Sequence, residues 1–329
     1  MQNKIALEEH FMVPGVEGYL PDNGFDAALA QAIEARLPDA ERWRISSMDE
    51  HGIRMQILSL TANGVQAEPD RAKVVAMARR ANDWLTEHFI RKHPARFAGF
   101  AAVALQDPKE AANEIERAIK TLGFKGVLVN GFTNASTGIG EYYDLPKFLP
   151  FWERANDLGV PVYLHPRGTL PSQQLIYEGH HELLGPSWAF GVEPAPHALR
   201  RITAGLFDRF PKLTMILGHL GEGLVPMIWR TQNRFNYASF GKKLRKPMAR
   251  YLPDHFYITT SGNFHTPALK NVIEEMGVDR VMFSVDYPYE TNDQAVSWFD
   301  SCPIGDEARE KIGRTNAERL FKLDPAPAS

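Results

Sequence analysis

Three histidines and two carboxylates close short apolar runs in this chain, and these are residue types that bind metal and move protons. They are Glu8 and His10 in KIALEEH, His165 in VPVYLH, His219 in LTMILGH and Asp286 in DRVMFSVD. Glu8 and His10 are two positions apart. Side chains alternate along an extended strand, so this spacing turns both to one face and sends Glu9 to the other. Carboxylate with imidazole is a normal ligand mixture for Zn2+, and carboxylate-rich sets also suit Mn2+. His165 and Asp286 would complete a set of four, leaving open positions for water or substrate. A lone histidine at a strand end is more often a hydrogen-bonded surface residue, and an aspartate before Tyr-Pro is often a turn former. Five such residues at one rim are a different matter. His51, His88, His93 and His255 fall on helical stretches or their ends and read as solvated; Cys302 reads as a passive small residue.

The elements that must carry these groups follow from the hydrophobic pattern. Short apolar, β-branched runs bounded by turn residues read as buried parallel strands. Eight are expected, at 4–10, 53–60, 97–103, 124–130, 160–165, 213–219, 256–262 and 279–286. Helical patterns lie between them, at 71–92, 148–158, 194–209, 266–276 and 304–321. Another begins at Asp107-Pro108-Lys109-Glu110, which combines an N-cap, a first-turn proline and a capping-box glutamate, and is expected to stop at Gly123. Eight alternations over this length predict an α/β fold, a single (β/α)8 TIM barrel spanning residues 1–322, with a mobile tail at 323–329. The irregular stretch 14–40 reads as a lid-like insertion after the first strand. A doubly wound open sheet is the alternative, but no GxGxxG or GxxxxGK[ST] follows any strand. Barrel enzymes place their sites at the C-terminal strand ends, where all five polar residues fall.

Bulk properties narrow the class. With 37 basic and 40 acidic side chains the formal charge is −3, which offers no basic surface for nucleic acid or anionic membrane. A single cysteine excludes an intrachain disulfide and a thiolate-rich metal site, and fits a cytoplasmic setting. No apolar run is long enough to span a bilayer, and the acidic start MQNKIALEEH does not read as a signal peptide.

Together with YLHPR (163–167), ILGHLGEG (216–223), TTSGN (259–263) and FSVDYPYE (283–290), the Glu8-x-His10 strand resembles the decarboxylase branch of the amidohydrolase superfamily, the amidohydrolase-2 group. The likeness is greatest to γ-resorcylate (2,6-dihydroxybenzoate) decarboxylases and runs from KIALEEHF to IGRTNAERLFKL; VNGF (129–132) and LLGPSWAF (183–190) share in it. Hydrolytic relatives carry HxH where Glu8-x-His10 stands, which favours decarboxylation over the alternative, a metal-dependent hydrolase of a lactone, amide or ester. A catalytically silent barrel has no physical need for all five polar residues. Tyr287 and Tyr289 depart from the more usual tryptophan and phenylalanine of the γ-resorcylate group, at the substrate pocket.

The resemblance implies that Glu8, His10, His165 and Asp286 bind one divalent metal per subunit, Zn2+ or Mn2+, with no organic cofactor. It implies a small aromatic acid as substrate, an ortho-hydroxybenzoate held by its carboxylate and ortho hydroxyl. Protonation of C1 by Asp286 then precedes loss of CO2, with His219 and Glu222 orienting or relaying the proton. Phe25, Phe190 and Tyr289 are implied ring-packing residues, and Arg230 a contact to substrate or to a neighbouring subunit. A homo-oligomer, tetramer or dimer, is implied as well.

Overall fold

The computed structural model describes residues 1–15, 24–136 and 138–325. Eight strands form one parallel sheet in chain order: Lys4–Phe11, Ile53–Leu60, Phe97–Ala101, Gly126–Asn130, Val162–His165, Met215–Leu217, Phe256–Thr259 and Val281–Met282. Each pairs with the next in parallel register. Every expected strand is present; the last six are shorter than their apolar runs, and the final three stop early because the chain bends into loops before the polar residues. Inward side chains such as Ile5, Leu7, Ile57, Phe100, Tyr163, Ile216 and Met282 fill the barrel, and Phe321 plugs its base. Removing each such side chain from water contributes roughly 1.5–3 kcal/mol. The opposite faces, with Val127, Leu164 and Leu217 among them, pack beneath the surrounding helices.

The ring closes irregularly between the eighth and first strands. No parallel ladder joins them among the described residues. Instead His10 N–H donates to the Tyr287 carbonyl at 2.7 Å, and the Leu7 and Glu8 N–H groups donate to Ser284 Oγ at 3.2 and 2.6 Å. Glu9, on the outward face as its parity predicts, completes the seam. Its carboxylate accepts from Ser284 Oγ (3.1 Å), Val285 N (2.9 Å), Tyr287 N (3.2 Å) and Gln56 Nε2 (3.3 Å). Burial pushes this carboxyl up, to about 8, against the pull of those donors and of buried Arg44.

The helix Pro108–Lys120 starts as its sequence predicts, with Asp107 accepting from Lys109 N and Glu110 N. It ends three residues before Gly123, which takes the left-handed φ of 75°. Helices Leu224–Tyr237 and Asn292–Ser301, and a hairpin pairing Thr133–Ser136 with Ile139–Glu141, are additions to the expected list. His255 is buried rather than solvated, because Nδ1 bonds the Leu213 carbonyl at 3.0 Å under the Phe207 ring.

Of the stretch 14–40, residues 16–23 lie outside the described residues. Beyond them Asp26 caps helix Ala27–Arg36, and Ile33 and Leu37 pack on Met12 with Phe25 and Tyr289 at the edge. Of the expected tail, Leu323 packs under the barrel base and residues 326–329 lie outside the described residues. Among the described residues, no helix is long and apolar enough to cross a membrane.

Candidate active site

The C-terminal ends of the first, fifth and eighth strands bring Glu8, His10, His165 and Asp286 together, with one donor atom from each lying within 4.8 Å of the others. His165 Nε2 is 3.2 Å from Glu8 Oε1, and His10 Nε2 is 2.9 Å from Asp286 Oδ1. Outer contacts fix which atoms face inward. The Glu8 Oε2 atom accepts from the hydroxyls of Tyr163 and Ser261, and from Thr259 Oγ1 at 3.3 Å, so Oε1 is left for the centre. His165 Nδ1 donates to the Pro166 carbonyl at 2.7 Å, which puts the lone pair on Nε2. His10 Nδ1 pairs with Ser59 Oγ at 3.3 Å, a hydroxyl able to accept from Nδ1–H and so compatible with a lone pair on Nε2. Glu8 Oε1, His10 Nε2 and Asp286 Oδ1 are buried with no hydrogen-bond partner. Buried polar atoms are seldom left this way. Three unpaired ligand-type atoms converging on one point fit a divalent cation.

His219 ends the sixth strand run and stands beside this cluster. Its Nε2 is 3.5 Å from Glu8 Oε1 and 3.5 Å from Asp286 Oδ2, while its Nδ1 is 2.6 Å from Glu222 Oε1. The turn that folds Glu222 back is costly: His219, Leu220 and Glu222 have φ of 49°, 56° and 54°, and Asp286 has 82°. Left-handed backbone at non-glycine residues costs roughly 1–2 kcal/mol each and clusters at functional sites. Two glycines make room. A Cβ on Gly218 would stand 2.5 Å from Glu8 Oε2, and one on Gly262 would stand 2.9 Å from His219 Cδ2. Burial pulls the His219 pKa down, but Glu222, Glu8 and Asp286 together carry it well above the ordinary histidine value. Burial would raise the Asp286 carboxyl, yet His10 and His219 hold it below its usual range. Desolvation lowers the His10 pKa, which keeps its imidazole neutral and ready to act as a ligand.

Above these groups opens a cavity of about 650 Å3. Phe25, Phe190 and Tyr289 line it, with His165, His219, Glu222 and Asp286 at its polar end. Tyr289 sits edge-on to His10, ring centroids 5.6 Å apart, and its hydroxyl is 2.5 Å from Thr61 Oγ1. Such a space, apolar in its walls and polar at one end, suits a small aromatic acid.

The family model described as amidohydrolase matches residues 10–323. The chain belongs to the amidohydrolase family. It is 48% identical over 333 residues to a gamma-resorcylate decarboxylase of Rhizobium sp. (strain MTP-10005), covering 99% of this chain and 100% of that one. A crystal structure of 2,6-dihydroxybenzoate decarboxylase complexed with 2,6-dihydroxybenzoate superposes with a TM-score of 0.93 at 48% identity, over 98% and 100% of the two chains. The dihydroxybenzoic acid decarboxylase of Polaromonas sp. JS666, solved with manganese and the inhibitor 2-nitroresorcinol, superposes at 0.92 with 47% identity, over 99% and 98%.

In this amidohydrolase most residues singled out from the sequence meet at one place. The four ligand candidates form the cluster, His219 and Glu222 flank it, and Phe25, Phe190 and Tyr289 wall the cavity. Arg230 does not join them: it is exposed on helix Leu224–Tyr237 and is not among the cavity-lining residues. Sequence reasoning passed over Tyr163, Thr259 and Ser261, the hydroxyls that hold Glu8. A signal was available, since Tyr163 is two before His165, and Thr259 and Ser261 share the same alternation, so each pair points into the barrel.

Proposed function

We propose that this amidohydrolase is a metal-dependent, non-oxidative and reversible decarboxylase of an ortho-hydroxybenzoate such as 2,6-dihydroxybenzoate, giving resorcinol and CO2. The observation that carries this reading is full-length 48% identity to proteins of that name, over a site whose ligand quartet and proton chain are intact. Manganese, the ion bound in the Polaromonas relative, suits the quartet; its donors would accept zinc as well. When bound, the ion supplies positive charge that draws the substrate's carboxylate and ortho oxygen together and orients the ring.

The chain's own residues do the rest. Phe25, Phe190 and Tyr289 pack the ring and keep C1 beside Asp286. Direct loss of CO2 would leave an aryl carbanion, so a proton must reach C1 first. The ortho oxygen pushes electron density onto C1, Asp286 takes a proton from the charged His219 and hands it to C1, and the C1–carboxylate bond then breaks. Its electron pair restores the aromatic ring, and CO2 leaves. His219, held by Glu222 on Nδ1, faces Asp286 with Nε2 and returns the proton after each turnover. The balance is one carboxylate and one proton in, one arene and one CO2 out.

A homo-oligomer, dimer or tetramer, is part of this proposal. Trp188 and Met227, which line the cavity, are 60% and 51% exposed, and Trp229 on the same helix as Met227 is 71% exposed; such exposed apolar side chains are of the kind that subunit contacts cover. Arg230 follows Trp229 on the same helix and is exposed, so it is free to contact a neighbouring copy. The lone buried Cys302 supports a reducing cytoplasmic setting. The test is incubation of manganese-loaded protein with a panel of hydroxybenzoates, following CO2 and arene by chromatography, beside elemental analysis and light scattering. Turnover of 2,6-dihydroxybenzoate with one metal per chain is expected. Hydrolysis of lactones or esters without CO2 release would overturn the reading.

A further inference from the structure

Three carboxyl groups line the cavity, and two of them already have a task. Asp286 belongs to the ligand cluster, and Glu222 is bonded to His219. The third is Glu290. Its backbone N–H is tied to the Asp286 carbonyl at 3.0 Å, which anchors the residue beside the polar end of the cavity. Its side chain is half-buried on the cavity wall it shares with His219, whose charge draws on it, and its carboxylate forms no hydrogen bond among the described residues. Burial, with the charge of Asp286 nearby, pushes this carboxyl up, against the pull of His219. The adjacent Tyr289 offers no relief, because its hydroxyl is committed to Thr61. No lysine or arginine stands among the residues lining the cavity.

A partly desolvated carboxylate without a partner is unfavourable unless a ligand brings a donor to it. An ionised carboxylate only accepts hydrogen bonds. A ring hydroxyl satisfies it; a second ring carboxylate meets the combined repulsion of Glu290, Glu222 and Asp286, which the single charged imidazole of His219 offsets only in part.

We propose that Glu290 is the specificity residue of this site, accepting a hydrogen bond from a ring hydroxyl beyond the ortho one and rejecting rings with a second carboxylate. The proposal rests on the decarboxylase reading and assigns to Glu290 the discrimination, within that substrate class, between rings with one and with two hydroxyls.

The test compares manganese-loaded wild type, Glu290→Gln and Glu290→Ala on 2,6-dihydroxybenzoate and 2-hydroxybenzoate. Wild type favours the dihydroxy acid in kcat/KM. That preference falls roughly 10- to 100-fold in Glu290→Ala, the range for a hydrogen bond to a charged group, and less in Glu290→Gln, whose amide oxygen still accepts. A residue that merely supported the fold would lower both rates together and leave their ratio alone. Calorimetry with unreactive rings gives a second reading: wild type binds resorcinol more tightly than phenol and isophthalate poorly, and Glu290→Ala loses the first preference and gains isophthalate. An unchanged ratio in both variants, or tight isophthalate binding by wild type, overturns the proposal. If wild type turns over neither acid, the decarboxylase reading falls, and the resorcinol–phenol comparison still decides the role of Glu290.

Discussion

Replacing Tyr163 by phenylalanine isolates one hydroxyl that never touches substrate yet aims a metal ligand. Tyr163 is fully buried, and burial beside Glu8 raises its pKa well above the ordinary value, so it stays a neutral donor. Its hydroxyl is one of three that grip Glu8 Oε2. Removing it leaves Ser261 and Thr259 in place, and Thr259 Oγ1 keeps Ser261 Oγ at 3.1 Å, so no new orphan appears there. The ring itself stays packed on Phe100, centroids 5.9 Å apart. A hydrogen bond to a charged group contributes roughly 1.5–3 kcal/mol. Loss of an outer partner of a metal ligand typically costs about 10–100-fold in metal affinity. The two ranges agree, and we expect Tyr163→Phe to weaken manganese binding by about 10–100-fold, with a loss in stability of the metal-free protein no larger than the roughly 1.5–3 kcal/mol of the bond itself. Titration of metal against a competing chelator measures this directly. Adding Ser261→Ala should produce a further loss that is not additive with the first, because both hydroxyls restrain the same oxygen. Wild-type affinity in Tyr163→Phe would refute the reasoning, since Glu8 would then be oriented by something else.

Other changes separate the remaining roles. Asp286→Asn keeps a ligand-like shape but cannot deliver a proton, so decarboxylation should vanish in single-turnover assays even where elemental analysis still finds metal. His219→Asn should keep nearly full metal content while activity drops roughly 10²–10⁴-fold, the range for a lost general acid–base group; loss of the metal instead would make His219 a ligand. Glu9→Ala strips the acceptor from Ser284 Oγ, Val285 N, Tyr287 N and Gln56 Nε2. Each buried donor left unpaired costs roughly 1–3 kcal/mol, so we expect a loss of at least that size, read from denaturant melts. Benzoates without an ortho hydroxyl should not be turned over, and release of CO2 from a para-only hydroxybenzoate would contradict the scheme.

The barrel was legible because its strands are buried on both faces and so appear as unbroken apolar runs. The ligand quartet was legible because charged and imidazole groups ending such runs have few structural explanations. What escaped had less contrast. Helix Leu224–Tyr237 leaves Met227, Trp229 and Tyr237 exposed, so its apolar residues do not mark a single buried stripe, and Pro226 sits in its first turn. Asn292–Ser301 is short, and its Thr291 cap stands after a loop rich in turn residues. Tyr163, Thr259 and Ser261 look like ordinary strand residues until their partner across the barrel is known. Their bonds to Glu8 span 155, 251 and 253 positions of sequence, distances no local pattern encodes. His255 was misread for a related reason, since its acceptor at Leu213 is remote in the chain.

The seam beside the first strand joins two processes that are separate in most barrels. Three consecutive residues serve both: Glu8 and His10 hold the ion on the inner face, while Glu9 staples the eighth strand on the outer one. Asp286 lies between two of the stapled amides, those of Val285 and Tyr287. Loading the ion therefore pins both margins of the weakest joint in the ring. By mass action, an ion present at 100 times its dissociation constant adds about 2.7 kcal/mol to the folded state. Much of that gain should be local, so amide exchange at Val285 and Tyr287 slows on loading more than exchange at the opposite strands, and chelation loosens the wall next to the substrate before the rest of the barrel gives way.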